Sequence, residues 1–288
     1  MTPWLTAHFW EVGCCRGPAG IAARGGGWRA QTFPALAVAL GHPMRGWSLY
    51  DTGYDPLYFD VLRDRTHRLI RWLLPVELKP EEHLVRHMTA AGLQPGDLRR
   101  VIISHFHLDH IAGLHRFPDA EPVYAAEAWD AAKSLTGWQA ARAVYHPRAV
   151  DRRRLEAGGR ALRDVDAEPW EGFARTWDLF GDGSLRLVAL PGHARGQLGA
   201  VFRRAPHGEL IFLVSDACWT GANLRGRPPG RLARFLMDDP AAFYRTLGEL
   251  RAFAHRHPAA RMVPSHCAET LADLRAGTPA ELFKGGLP

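Results

Sequence analysis

Several things are scarce in this chain, and each scarcity excludes something. Only three of its 36 basic residues are lysines, Lys79, Lys133 and Lys284; the others are arginines. The four cysteines, Cys14, Cys15, Cys218 and Cys267, have neither zinc-finger spacing nor the pattern of a disulfide framework. A fold stapled by disulfides is therefore excluded, and a reducing, cytoplasmic setting is expected. No stretch approaches the ~20 apolar residues that a membrane-spanning helix needs, so no membrane partner is expected. The start, Met1-Thr2-Pro3-Trp4-Leu5, lacks the basic-then-apolar order of a secretory signal. There is no internal repeat and no Gly-x-Ser-x-Gly nucleophile elbow. The formal charge is +6, yet the arginines form no nucleic-acid-binding motif. Their densest cluster, 148–163, mixes Arg152-Arg153-Arg154 with Asp151 and Glu156 and reads as a solvated helix face, so no nucleic-acid partner is expected.

What is present is chemistry. The run Ser104-His105-Phe106-His107-Leu108-Asp109-His110 follows the apolar segment Val101-Ile102-Ile103. In extended chain, alternate side chains share a side, so His105 and His107 can hold one metal ion together. Asp109 and His110 follow where the strand gives way and can turn toward a second ion. Imidazole and carboxylate suit zinc and its divalent neighbours iron, manganese and cobalt. A two-metal site demands further ligands at other strand ends. Three apolar runs supply them: residues 185–191 lead into Gly192-His193, residues 210–215 into Asp216, and residues 261–265 into His266.

An apolar content of 47% in 288 residues is ample for a packed core. Residues 4–12 read as a first strand and 13–34 as a Gly-rich loop. Residues 34–40 and 47–50 read as a hairpin, and a helix is expected from Pro80 to Gly92. Residues 101–104 and 122–125 read as strands, each with a helix after it. The stretch 137–169 has poor periodicity and reads as an insertion over the site mouth of a single domain spanning 1–288. Strands resume at 185–190, 198–203 and 210–215; a helix over 240–256 and a strand at 261–264 follow. Early and late groups of strands, each with helices, fit an α+β, four-layer αββα sandwich.

The order His-x-His-x-Asp-His, then Pro-Gly-His, then Asp, then His resembles the metallo-β-lactamase superfamily. Leu49-Tyr50-Asp51-Thr52-Gly53 resembles that family's early strand-turn motif, while Asp178-Leu179-Phe180-Gly181-Asp182-Gly183-Ser184, running into Leu190-Pro191-Gly192-His193, and Val263-Pro264-Ser265-His266 are similar to its N-acyl homoserine lactonase-like branch. The resemblance covers most of the chain. It implies the same sandwich fold and two divalent ions, in the first place zinc. His105, His107 and His193 would hold one ion, Asp109, His110 and His266 the other, and Asp216 would bridge them. It further implies a quorum-quenching type of hydrolysis, in which a metal-bridging hydroxide attacks a lactone or related carboxylic ester. Asp109 would carry a proton to the leaving group.

The chain departs from that branch at two places. Trp219 stands where the lactonases have a tyrosine, and Gln197 lies where they more often have a histidine. Phe106 and Trp219, each near a ligand, are the candidate substrate-binding aromatics; Trp138, Tyr145, Phe173 and Trp177 are weaker ones. Asp51 reads equally as a turn residue or, by resemblance, as a support behind the site. The lone histidines, His67 and His146 among them, read as ordinary surface or core residues. The expected partner is a small acyl substrate. The Gly-rich stretch 13–27 and the loop 221–230 are candidates for homodimer contacts or for mobile lids. A glyoxalase II-like thioester hydrolase is the alternative activity, ahead of a phosphodiesterase, an iron oxidoreductase and a non-catalytic metal-binding protein.

Overall fold

The structure is a computed structural model, and it describes residues 2–276. The chain divides into two compact units. Unit I comprises residues 7–16 and 34–162; unit II comprises the N-terminal residues up to Thr6, residues 17–33 and the chain from Arg163 onward.

Unit I is built on a seven-stranded sheet. Its strands are β1 (Thr6–Pro18), β2 (Ala30–His42), β3 (Gly46–Tyr50), β4 (Val76–Glu77), β5 (Leu98–Ile102), β6 (Glu121–Ala125) and β7 (Arg160–Leu162), in the order β4-β1-β2-β3-β5-β6-β7. β2 and β3 form the expected antiparallel hairpin, while β3, β5, β6 and β7 run parallel. The almost uninterrupted apolar sequence 33–40 is buried throughout, as expected of a strand covered on both faces. Because β3 and β5 are parallel with Tyr50 opposite Ile102, their carboxyl ends emerge side by side.

Unit II carries a six-stranded sheet of β8 (Glu168–Trp170), β9 (Phe173–Asp178), β10 (Leu185–Ala189), β11 (Leu198–Arg204), β12 (Glu209–Ser215) and β13 (Arg261–Pro264), in the order β13-β12-β11-β10-β9-β8. Neighbours from β8 to β12 are antiparallel, and β12 pairs with β13 in parallel. β10, β12 and β13 therefore point the same way, and their carboxyl ends share one edge. The helix Pro240–Arg256 buries Phe243, Leu247, Leu250 and Phe253, the residues at helical spacing in the sequence. Phe253 meets Phe212 edge-on at 5.2 Å and Phe173 at 5.9 Å, which locks the helix to the sheet.

Three expectations are corrected in detail. The first strand does not stop at residue 12; β1 continues through Gly13 to Pro18, pairing Cys14 with Glu77 and Cys15 with Val76. Gly13 is a kink inside a strand, at φ 75, where a Cβ would come 2.9 Å from the Glu77 carbonyl oxygen. The helix expected from Pro80 to Gly92 is broken at His83, extended at φ −62 and ψ 132, into a 3-10 turn and the helix Leu84–Ala90. The stretch 137–169 contains the helices Gly137–Arg142 and Arg152–Gly158 and then feeds β7 and β8 to the edges of the two sheets. Strands of three residues are too short to show a period. On that second helix Arg152 pairs with Glu156, but Arg154 turns inward and donates to the carbonyls of Phe117 and Ala120. No helix among the described residues is long and apolar enough to cross a membrane.

Asp239 caps the helix Pro240–Arg256, accepting from the Ala242 N–H at 3.0 Å, with Pro240 in the first turn. Asp239→Ala is expected to lower stability by about 1 kcal/mol, read as a shifted denaturant midpoint at unchanged slope.

Candidate metal centre

In unit I the ligand run begins just beyond β5. His105 and His107 sit past the strand end, with ring centroids 4.4 Å apart, and His105 lies 4.1 Å from the His110 ring. Asp109 and His110 belong to the short helix Leu108–Ile111, whose first residue follows extended His107. All four expected ligands of this unit are thus gathered at the carboxyl end of one strand. His105 and His110 are buried, and Asp109 and His107 are half-buried.

Asp51 makes this arrangement. It lies one residue past β3, fully buried, at φ 56. Its Oδ1 accepts from the Ser104 N–H at 2.8 Å, and its Oδ2 accepts from the Ser104 hydroxyl at 2.7 Å and from His110 Nδ1 at 2.7 Å. In the last bond Nδ1 donates to Asp51, which orients the ring with Nε2 turned away from that carboxylate, as a metal-ligating histidine is usually held. Thr52 completes the clamp, accepting from the Gly113 N–H at 3.0 Å and donating from its hydroxyl to the His110 carbonyl at 2.9 Å. Of the two readings open in the sequence, Asp51 is the support. Ser104 and Thr52 had no signal of their own; both follow from the parallel pairing of β3 with β5.

In unit II the three expected ligands also follow strand ends. Asp216 comes directly after β12 and His266 two residues after β13. His193 follows β10 by a Leu-Pro-Gly turn. The Asp216 Oδ2 lies 3.1 Å from His266 Nε2 and 3.4 Å from His193 Nε2, so one carboxylate faces two imidazoles. Gly192 adopts φ 133, and a Cβ there would fall 2.2 Å from the Phe243 nitrogen, so only glycine lets the turn approach the helix Pro240–Arg256 this closely. Gln197 has a role of its own. Its N–H2 donates to the Leu190 carbonyl at 3.2 Å, while its backbone carbonyl accepts from Leu190 at 2.8 Å, closing the turn that carries His193.

Imidazoles beside carboxylates, with the His110 ring oriented by Asp51, fit divalent metal ions of the zinc class. The two candidate aromatics are both buried. Phe106 packs in unit I against Trp129 at 5.4 Å and Tyr124 at 6.0 Å. Trp219 packs in unit II, perpendicular to the His193 ring at 5.7 Å and 5.6 Å from Phe243. Phe173 and Trp177 serve the core of unit II, Tyr145 is buried in unit I, and Trp138 is exposed.

The profile of the metallo-beta-lactamase superfamily matches residues 32–274. The chain belongs to the metallo-β-lactamase superfamily. Among curated relatives, the probable metallo-hydrolase Rv2300c of Mycobacterium tuberculosis is 31% identical over 190 residues, 63% of this chain and 56% of that protein. The chain thus spans a little over half the length of that relative. The N-acyl homoserine lactonase AttM of Rhizobium radiobacter is 27% identical over 205 residues, 69% of each chain. Among solved structures, a variant of AiiA from B. thuringiensis with N-decanoyl-L-homoserine bound at its active site superposes with a TM-score of 0.71 at 17% identity, covering 95% of this chain and 97% of that one. The fold is therefore the metallo-β-lactamase fold expected from the sequence, α+β with two mixed sheets. The superfamily fold implies divalent metal ions.

Within this metallo-β-lactamase scaffold, the Asp51–His110 bond is the support closest to a ligand. Asp51→Asn keeps the shape and removes the charge, and it is expected to weaken metal retention by about 10–100-fold. Competition with a chromogenic chelator measures it directly.

Proposed function

We propose that the chain acts as one domain over residues 1–288, with 137–169 lying over the site mouth, and that its two ligand sets close on a pair of divalent ions, in the first place zinc. His105, His107 and His193 would hold one ion, and Asp109, His110 and His266 the other. Asp216 would bridge them. The observation that carries this reading is the state of the donors. The 2.7 Å bond from Nδ1 to Asp51 fixes the His110 ring, and the Asp216 carboxylate faces two imidazoles. Seven ligands are more than one ion of this class takes and suit two.

The activity proposed is hydrolysis of a lactone or related carboxylic ester, with N-acyl homoserine lactones the first candidates because AttM and AiiA are such enzymes or bind such products. Two bound divalent ions would supply Lewis acidity and lower the pKa of water to about 7. The chain's own residues do the rest. The Asp109 carboxylate, half-buried beside the ligands, takes a proton and passes it to the leaving oxygen, the step that opens the ring. Phe106 and Trp219 offer apolar faces to the acyl part of the substrate. The Trp219 indole N–H can donate a hydrogen bond but never a proton, which separates it from the tyrosine it replaces. Cleaving a cyclic ester with no serine or cysteine nucleophile fits a chain whose Cys218 and Cys267 are buried and whose Cys218 thiol is pushed up by burial.

Proton release by the zinc-loaded protein tests this against short- and long-chain acyl homoserine lactones, an aryl ester and a glutathione thioester. Lactone turnover that chelation abolishes is the expected result. Asp109→Asn should then lower kcat by about 10²–10⁴-fold. Thioester cleavage without lactone cleavage would replace the lactonase reading by the glyoxalase II-like one, and no chelator-sensitive hydrolysis of any ester would sink both.

A further inference from the structure

We propose that Asp64, His67 and His146 form a second metal site, for a single divalent ion of the zinc class, separate from the seven ligands described above. One ligand atom from each of the three lies within 4.8 Å of the others. All three residues belong to unit I. His67 and His146 are buried, at 1% and 7% exposure, with ring centroids 4.6 Å apart and planes tilted by 59°. The Asp64 Oδ2 faces both, 3.7 Å from His67 Nδ1 and 3.8 Å from His146 Nε2. These separations are too long for hydrogen bonds and close to the spacing of donors around one ion. With metal–ligand bonds near 2.0–2.1 Å, tetrahedral donors lie about 3.4 Å apart. The two carboxylate–imidazole separations exceed that by a few tenths of an ångström.

The donors are oriented for this. The Asp64 Oδ1 is held by the Thr66 N–H at 3.2 Å, which leaves Oδ2 to the rings. That Thr66 bond keeps the Asp64 carboxyl below the usual range. His67 Nε2 donates to the Tyr145 carbonyl at 2.9 Å, which fixes the tautomer with Nδ1 bare. The Thr66 hydroxyl, 3.0 Å from that Nδ1, can rotate away. His146 Nδ1 accepts from the Arg148 N–H at 3.1 Å, so its proton sits on Nε2. An ion at Nε2 would require that proton to move to Nδ1 and the Arg148 bond to release. Access is open. The cleft in front of His146 is lined by Asp60, Val61, Arg63, Asp64 and Arg148. Such an ion would cross-link the turn after the helix Pro56–Val61 to the chain at 145–149.

The test is zinc content per chain, by elemental analysis, after equilibration in a series of buffers of fixed free zinc. The wild type is compared with Asp64→Asn and His146→Gln. At the upper end of the series the wild type is expected to hold one ion per chain more than either variant. Asp64 is exposed, so its asparagine variant keeps the fold; far-UV circular dichroism checks both. Equal zinc in the wild type and Asp64→Asn at every free-zinc level overturns the proposal. Because the reading is a difference, it stands or falls independently of how many ions the seven-ligand set takes.

Discussion

The buried carboxylate of Asp51 is the constraint on which unit I depends. An ion taken out of water is costly unless charge-assisted hydrogen bonds replace its hydration. Asp51 receives three, two from Ser104 and one from His110. Those bonds exist only if β3 and β5 lie parallel in the observed register, with Tyr50 opposite Ile102. The same anion thus fixes a strand pairing, the path of the chain through residues 104–110 and the orientation of the His110 ring. Removing it would release that ring from its bond and leave a packing defect.

Unit II reaches a comparable result by another route. Its candidate ligands leave the carboxyl ends of β10, β12 and β13, and the parallel pair β12–β13 brings Asp216 beside His266. Ser215, the last residue of β12, adopts φ 49, and its carbonyl accepts from the Ser265 N–H at 3.2 Å. Asp51 and Ser215 are both buried non-glycine residues in the left-handed region, each at the carboxyl end of a parallel strand. Backbone strain of this kind persists where surrounding structure over-determines it, and it concentrates at functional sites. Each sheet spends it where a buried carboxylate, Asp51 or Asp216, turns off the strand direction.

Much of this was legible in the sequence. Apolar runs ending in His193, Asp216 and His266 stand out because a buried strand is a dense apolar signal and a ligand at its end interrupts it. The helix Pro240–Arg256 was legible from Pro240 and its four spaced apolar residues. Less legible were features whose information lies in pairing. β7 and β8 are three residues each, and β1 crosses a glycine that reads as a loop. Asp51 looked as much like a turn residue as a support, because a sequence does not say which N–H groups a carboxylate will meet. His67 and His146, 79 residues apart, looked like two unrelated histidines until the fold brought their rings together.

Asn223 has a consequence of a different kind. Its side chain is fully buried. Its Oδ1 accepts from the N–H groups of Trp219 and Thr220, while its Nδ2 donates to the carbonyls of Ala22 and Arg227. Every hydrogen-bonding position of the amide is used on backbone, and none on the Trp219 ring. The main chain at 219 is therefore held by a neighbour indifferent to what side chain stands there. The backbone at 219 is thus a mount fixed independently of its side chain, whereas the buried indole answers to His193 and Phe243, so an exchange there must refill the space between those two rings.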